Sequence, residues 1–269
     1  MTTSYLDRGP GRIAYDVQGE GPLAVCIPGM GELRSSFRFL VPTLVAAGYR
    51  VATMDIRGHG DSDDGFPAYD DPAAGQDALA LVEHLGGGPA LLVGSSLGAA
   101  AATWAAAEDP NAVAGLVLIG AFVRDGKTNP AMDLLMKLAM VKPWGPGVWK
   151  SYYRSLYPGN FGGDLPEHAS TVDASLRRAD HWRSFVKTTR TSHAPVEARL
   201  GEVHTPTLVV MGEKDRDWPD PAAEGRFVAD ALSGELLMVP NSGHYPMAEY
   251  PEQVNPVVQA FAERVRSSA

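Results

Sequence analysis

Short runs of consecutive apolar residues, bounded by glycine or proline, punctuate the chain at 23–27, 50–54, 91–93, 116–119, 207–211 and 236–239. They are too short for buried helices and read as strands covered on both faces. Residues 3–8 and 12–18, joined by Gly9-Pro10-Gly11, read instead as an antiparallel hairpin at the edge of a sheet. Helical patterns fill the intervals. Residues 37–47 form one, stopped by Gly48. Residues 72–85 form an amphipathic one with Leu79, Leu81, Val82 and Leu85 on its apolar face, closed by Gly86-Gly87-Gly88. Residues 97–107 are rich in alanine, the strongest helix former, and 251–266 make a closing helix. Strands alternating with helices at this spacing imply right-handed β-α-β units, hence an α/β chain with a mostly parallel sheet and helices on both faces. Ligands in such sheets bind at the carboxyl ends of the strands.

The alternation is interrupted once. Between Gly120 and Thr207 no strand-like run occurs, and helical patterns at 131–141, 147–157 and 167–188 are separated by proline- and glycine-rich breaks. Aromatic and methionine side chains concentrate here: Met132, Met136, Met140, Trp144, Trp149, Tyr152, Tyr153, Tyr157, Phe161, Trp182 and Phe185. Individually they hold such a segment to itself and to the core; collectively they point to the roof of an apolar pocket.

One strand-to-helix junction carries candidate chemistry. Leu91-Leu92-Val93 runs into Gly94-Ser95-Ser96-Leu97-Gly98 and then into the alanine-rich helix. A residue at such a turn is strained, and glycines on either side let chain segments pass close together. Ser96 then projects from the tip beside a helix N-terminus, where unpaired N–H groups favour developing negative charge. In this strand-turn-helix context, Gly94-Ser95-Ser96-Leu97-Gly98 resembles the nucleophile elbow of the α/β-hydrolases.

The resemblance extends over nearly the whole chain and is weakest across 122–203. Thr207-Leu208-Val209-Val210-Met211-Gly212-Glu213-Lys214-Asp215 is similar to the strand and Gly-x-x-Asp loop that supply that family's acid, so Asp215 is the implied acid, with Asp217 the near alternative. Asn241-Ser242-Gly243-His244 follows the last strand, where the family places its general base. The order Ser96, Asp215, His244 is that of α/β-hydrolases. Pro28-Gly29-Met30-Gly31 follows the first buried strand at the family's oxyanion loop, often His-Gly; Pro28 replaces the histidine here, while the backbone donors, Met30 and Leu97, are retained. Asp55-Ile56-Arg57-Gly58-His59-Gly60-Asp61-Ser62 resembles a loop that is largely structural in the family. His59 could also be read as a base, but its flanking glycines favour a tight loop. His84, His168, His181, His193 and His204 match no such position and read as surface or core residues. The resemblance thus implies an α/β-hydrolase fold with a core of 1–121 and 204–269 and a helical cap inserted at 122–203. Met30, Ser95, Trp144, Trp149, Trp218 and Tyr245 are the expected pocket residues.

Composition narrows the partners. At 269 residues, 45% hydrophobic and 20% charged, the chain has the make-up of a single soluble α/β domain with an insertion. A net charge of -9 opposes binding to nucleic acid or an anionic membrane, leaving a small-molecule substrate. The lone Cys26 excludes an internal disulfide and reads as a small core residue. Residues 1–11 lack a basic segment followed by an apolar one, which suggests a cytoplasmic protein. Residues 89–107 carry no charge, but Gly-Ser-Ser-Leu-Gly at their middle fits a buried strand and helix better than a membrane span. Gly29-Met30-Gly31 lacks the third glycine of a dinucleotide fingerprint, and no metal or organic cofactor is signalled. The expected function is a serine hydrolase acting on a small, largely apolar carboxylic ester, thioester or lactone. A receptor or regulator, an acyl transferase or cyclase, and a carbon–carbon bond hydrolase stay open; oligomeric state is not legible. A serine at the elbow excludes the branches of the fold that use aspartate there.

Overall fold

The computed structural model describes residues 2–86, 88–126, 130–159, 163–178 and 180–268. Among these, eight strands form one sheet: β1 (Ser4–Asp7), β2 (Arg12–Gln18), β3 (Leu23–Ile27), β4 (Arg50–Met54), β5 (Ala90–Ser95), β6 (Val113–Ile119), β7 (Thr207–Gly212) and β8 (Glu235–Val239). Their spatial order is β1-β2-β4-β3-β5-β6-β7-β8. The β1–β2 hairpin and the β2–β4 pair are antiparallel, and every other pair is parallel. The apolar runs are continuous because both faces are covered. Leu23, Val25, Ile27, Leu92, Leu116, Leu118, Val209 and Met211 enter one core, while Ala24, Cys26, Leu91, Val93, Val117, Ile119, Leu208 and Val210 enter the other. Burial pushes the Cys26 thiol pKa up, as fits a small core residue.

The helices are α1 (Val41–Ala46), α2 (Asp71–His84), α3 (Leu97–Glu108), α4 (Pro130–Ala139), α5 (Gly145–Ser155), α6 (Leu165–Leu176), α7 (His181–Thr188), α8 (Ala194–Glu197), α9 (Pro221–Ala231), α10 (Pro246–Glu249) and α11 (Pro251–Ser268). α2, α3 and α9 cover the first core, and α1 and α11 the second. Alanines let α3 lie close to its neighbours. At Gly75 of α2 a β-carbon would stand 2.6 Å from the Trp104 ring and 2.8 Å from the Ala101 carbonyl oxygen.

Two expected helices differ. The 37–47 pattern divides into a 3-10 turn, Arg34–Phe37, and α1, because Pro42 has no N–H to donate and fits only a first helical turn. The 167–188 pattern becomes α6 and α7. Leu165, Ala169, Val172 and Leu176 form one stripe, and Trp182 falls out of phase with it, so a break is needed to bury both. Helix α9, which the apolar pattern does not announce, starts where the Asp220 side chain accepts from the Ala223 N–H and Pro221 occupies the first turn. Helices α4 to α7 all fall between β6 and β7, and the aromatic side chains of α5 and α7 join the second core. Among the described residues no helix is long and apolar enough to cross a membrane.

Candidate active site

The junction of β5 and α3 is made by close passage of three chain segments. A β-carbon on Gly94 would lie 2.2 Å from the Gly98 carbonyl oxygen, and one on Gly98 would lie 2.0 Å from that of Ile27. Only glycine fits either position. Between them Ser96 adopts φ 55° and ψ -120°, a costly conformation for a residue with a side chain. Its N–H donates to the Ile119 carbonyl at 2.8 Å, fixing the turn to the end of β6. The hydroxyl does not cap α3, and among the described residues it has no hydrogen-bond partner.

The neighbouring strand brings the histidine to the same edge. Gly120, one residue beyond Ile119, has φ +55°, and a β-carbon there would stand 3.0 Å from His244 Cε1 and 3.1 Å from Nδ1. The imidazole therefore rests on a bare glycine. Its Nδ1–H donates to Asp215 Oδ2 at 2.7 Å, and the His244 backbone N–H donates to the Leu156 carbonyl at the end of α5. The Phe122 and Tyr245 rings meet it edge-on at 5.7 and 4.8 Å between centroids. Burial works against a charged imidazole, but Asp215 and Asp217 outweigh it and hold the His244 pKa up at about 9. Asp217 Oδ2 lies 3.6 Å from Nδ1, too far for a hydrogen bond, so Asp215 is the partner and Asp217 a neighbouring charge. Asp215, Asp217 and His244 also place ligand atoms within 4.8 Å of one another, the one such grouping among the described residues. With Nδ1–H given to Asp215, that nitrogen has no lone pair for a metal.

The Gly29-Met30-Gly31 loop faces Ser96. A β-carbon on Gly29 would stand 2.8 Å from Ser96 Cβ. Among the described residues neither the Met30 nor the Leu97 N–H has an acceptor, which leaves both available to an oxyanion. The Gly31 N–H donates instead to His59 Nε2 at 3.0 Å, and His59 Nδ1–H donates to the Arg57 carbonyl at 3.0 Å. His59 is thus a strut between two loops. Burial pushes its pKa down to about 4, so it is neutral and both ring nitrogens are occupied.

Of the expected pocket residues, Trp149 lies over Gly31, where a β-carbon would meet its ring at 2.4 Å, and Trp218 packs against Phe122, the rings tilted by 34° with centroids 4.7 Å apart. Tyr245 is buried beside His244 and stacks on Tyr157 at 5.1 Å. Ser95 is fully buried with its hydroxyl unpartnered, and Met30 is half-buried between both cores. Trp144 departs from the expectation: it is 54% exposed, with its indole N–H on the Leu138 carbonyl, so it faces outward with Leu134, Leu135 and Leu138. Phe161 and the side chains of Met132 and Met136 lie outside the described residues. A cleft of about 690 Å³ lies away from Ser96, lined by Arg34, Arg38, Asp55, Asp61, Ser175 and Arg178 among others. Its arginines are already paired, Arg34 with Asp16, Asp55 and Asp61, Arg38 with Asp164, and Arg178 with Asp61.

A buried carboxylate in the loop after β3 escapes sequence reasoning. Glu32 accepts from Tyr153, from Tyr157 at 3.1 Å and from His168 Nε2 at 3.1 Å, tying the loop after β3 to α5, α6 and the Tyr157 turn. Burial opposes its charge, but His168, Tyr153 and the Leu33 N–H prevail and keep its pKa below the usual carboxylate value. The remaining histidines are elsewhere. His84 meets the Tyr15 hydroxyl, His193 pairs with Asp71, His181 is buried and His204 is exposed.

A mostly parallel sheet that gathers a strained serine, a buried carboxylate–histidine pair and two free backbone donors at the carboxyl ends of its central strands has the layout of an α/β-hydrolase. The chain belongs to the alpha/beta hydrolase family, whose model matches residues 24–257. It is 32% identical to the putative non-heme bromoperoxidase BpoC of Mycobacterium tuberculosis, over 95% of this chain and 99% of that one. It is 29% identical to 2-hydroxy-6-oxononadienedioate/2-hydroxy-6-oxononatrienedioate hydrolase 2 of Pseudomonas putida, over 94% of this chain and 92% of that one. Its fold is also that of a thermophilic esterase from Thermogutta terrifontis, with a TM-score of 0.81, 21% identity and coverage of 98% and 99% of the two chains.

Proposed function

We propose that the protein is a serine hydrolase that cleaves a small, largely apolar carboxylic ester, with thioesters and lactones in the same reach, through an acyl-enzyme on Ser96. The observation that carries this reading is the strained Ser96 at the edge where His244 is held by Asp215 at 2.7 Å. Ser96 Oγ attacks the carbonyl carbon while His244 Nε2 takes its proton; collapse of the tetrahedral intermediate expels the alcohol, to which His244 returns that proton. Asp215 keeps Nδ1 protonated, so that once the imidazolium has lost its second proton Nε2 is the free acceptor. The Met30 and Leu97 N–H groups hold the oxyanion, each contributing about 3 kcal/mol to the transition state. Water then attacks the acyl-enzyme by the same route.

Ester cleavage is preferred to hydrolysis of a dianionic carbon–carbon substrate, such as the name of the Pseudomonas putida relative describes. Carboxylates dominate the charge near His244: Asp215 and Asp217 beside it, and Glu32 behind Tyr245. They repel a doubly charged ligand, whereas Phe122, Trp149 and Trp218 offer apolar surface. The test is nitrophenol release from aryl esters of graded acyl length over many turnovers, in wild type and Ser96→Ala. Sustained release that vanishes in the variant is expected. A stoichiometric burst or no release would transfer the assignment to a receptor or to acyl transfer, and a fully active Ser96→Ala protein would end the acyl-enzyme mechanism.

A further inference from the structure

His244 has two carboxylates at its Nδ1, and the second of them is held from the other side of the site. Asp217 follows Asp215 by one turn of the loop after β7, and its backbone N–H donates to Asp215 Oδ1 at 3.0 Å. Its Oδ2 stands 3.6 Å from His244 Nδ1, while its Oδ1 accepts from the hydroxyl of Tyr152, on α5 of the helical insertion. Tyr152 is itself fixed, packed on the Trp149 ring at 5.6 Å with the Arg216 guanidinium 5.5 Å over its face. Asp217 therefore cannot turn away from the imidazole without breaking a bond to the insertion.

We propose that Asp217 is a second anionic partner of His244, aimed by Tyr152, and that the docking of α5 on the sheet in this way sets the pH at which the imidazole becomes a base. This rests on the reading of His244 as general base. Asp217 acts through His244 and is a positioning residue, whereas Asp215 keeps the hydrogen bond.

The groups facing this assembly are few. From the β7 loop come Asp215, Asp217 and Arg216; from α5, Tyr152; beside His244, Tyr245; and from the loop after β3, Glu32, which acts at longer range. Among them, the two aspartates lie nearest to Nδ1. Burial opposes ionisation of Asp217 and raises its pKa, and the repulsion of Asp215 adds to this; the attraction of His244 and the Tyr152 hydrogen bond work the other way. Burial and Asp217 together raise the Tyr152 pKa, so Tyr152 remains a proton donor to that carboxylate. Loss of the tyrosine hydroxyl weakens the carboxylate form and, through it, the hold on the imidazolium.

The experiment is an NMR titration of the His244 imidazole in the free protein, identified by the signal that His244→Gln removes, in parallel with the acidic limb of kcat/KM. Wild-type His244 is expected to titrate near the pH of about 9 set by its two carboxylates. Asp217→Asn should lower that midpoint by about one to two pH units, since an opposite charge at this distance is worth that much. Tyr152→Phe should move it the same way by less, and the kinetic limb should follow in both. Asp217→Ser serves if the asparagine variant does not fold. A midpoint unmoved in folded Asp217→Asn or Asp217→Ser overturns the proposal, and one moved by Asp217→Asn but not by Tyr152→Phe overturns the part assigned to α5. The titration needs no turnover, so it reads the pair even if Ser96→Ala proves active and the hydrolase reading fails.

Discussion

Two histidines in this molecule are buried to the same degree, and they are opposites. His59 is 0% exposed and His244 is 1% exposed. Around His59 the partners are a backbone carbonyl and a backbone N–H, burial outweighs the Arg57 carbonyl and the more distant Glu32 charge, and the pKa falls to about 4. Around His244 two carboxylates more than repay its burial, and the pKa rises to about 9. Burial alone thus does not separate a strut from the proposed base; the charge of the partner and the freedom of Nε2 do. The comparison breaks most visibly by deletion. Ser96→Ala and His244→Ala should each reduce ester turnover by about a millionfold with the fold intact, while His59→Ala should be felt mainly in stability. Steady-state kinetics beside circular dichroism check this, and comparable losses of turnover in His59→Ala and His244→Ala would sink the distinction.

The next effect in size separates the two aspartates. Asp215→Asn removes the acceptor of Nδ1–H and permits the wrong tautomer, an expected loss of about 10⁴-fold in kcat. Asp217→Asn leaves that hydrogen bond in place and should retain far more activity at alkaline pH. Equal losses would mean that the pair has been assigned wrongly. Smaller again is the effect of Gly120→Ala. Its φ of +55° and the 3.0 Å approach of its β-carbon to His244 Cε1 force the ring to shift, and a misplacement of about 1 Å costs roughly a hundredfold. The measurement is kcat/KM, and an unaltered value would show that the imidazole does not rest on that glycine.

The parts of this arrangement that sequence conveys are those whose signal is local. The runs at β3, β5, β6 and β7 are apolar without alternation because both faces are buried, and glycines at 94 and 98 mark a turn where only glycine fits. Asp215 and His244 are legible because each follows a clear strand. What stays hidden is held together by distant partners. Glu32 reads as a polar loop residue, yet it is buried against Tyr153 and His168, which follow it by 121 and 136 positions. Tyr152 reads as one aromatic among many, and only the packing of α5 on the β7 loop brings it to Asp217. Trp144 errs in the other direction, since an aromatic residue promises burial and this one sits at the helix end, facing solvent. Helix α9 was within reach, for Asp220-Pro221 is a local start signal, but its apolar stripe is too weak to draw the eye.

The subtlest expected difference between the two histidines is in the pH dependence of folding. A histidine in the unfolded chain titrates near 6.5. His59 falls to about 4 on folding, so between about 4 and 6.5 the unfolded state binds more protons, and this residue makes stability rise with pH and reach its full value above 6.5. His244 rises to about 9, so between 6.5 and 9 the folded state binds more protons; its contribution is complete below 6.5 and is lost as pH climbs through 9. Each difference amounts to something on the order of 3 kcal/mol across its window. Urea unfolding at several pH values should therefore show the acid slope flattened in His59→Gln and the alkaline decline flattened in His244→Gln, each variant leaving the other limb alone. Identical slopes in wild type and both variants would mean that neither imidazole is held in the protonation state its surroundings dictate. Then the contrast between strut and base would rest on geometry alone.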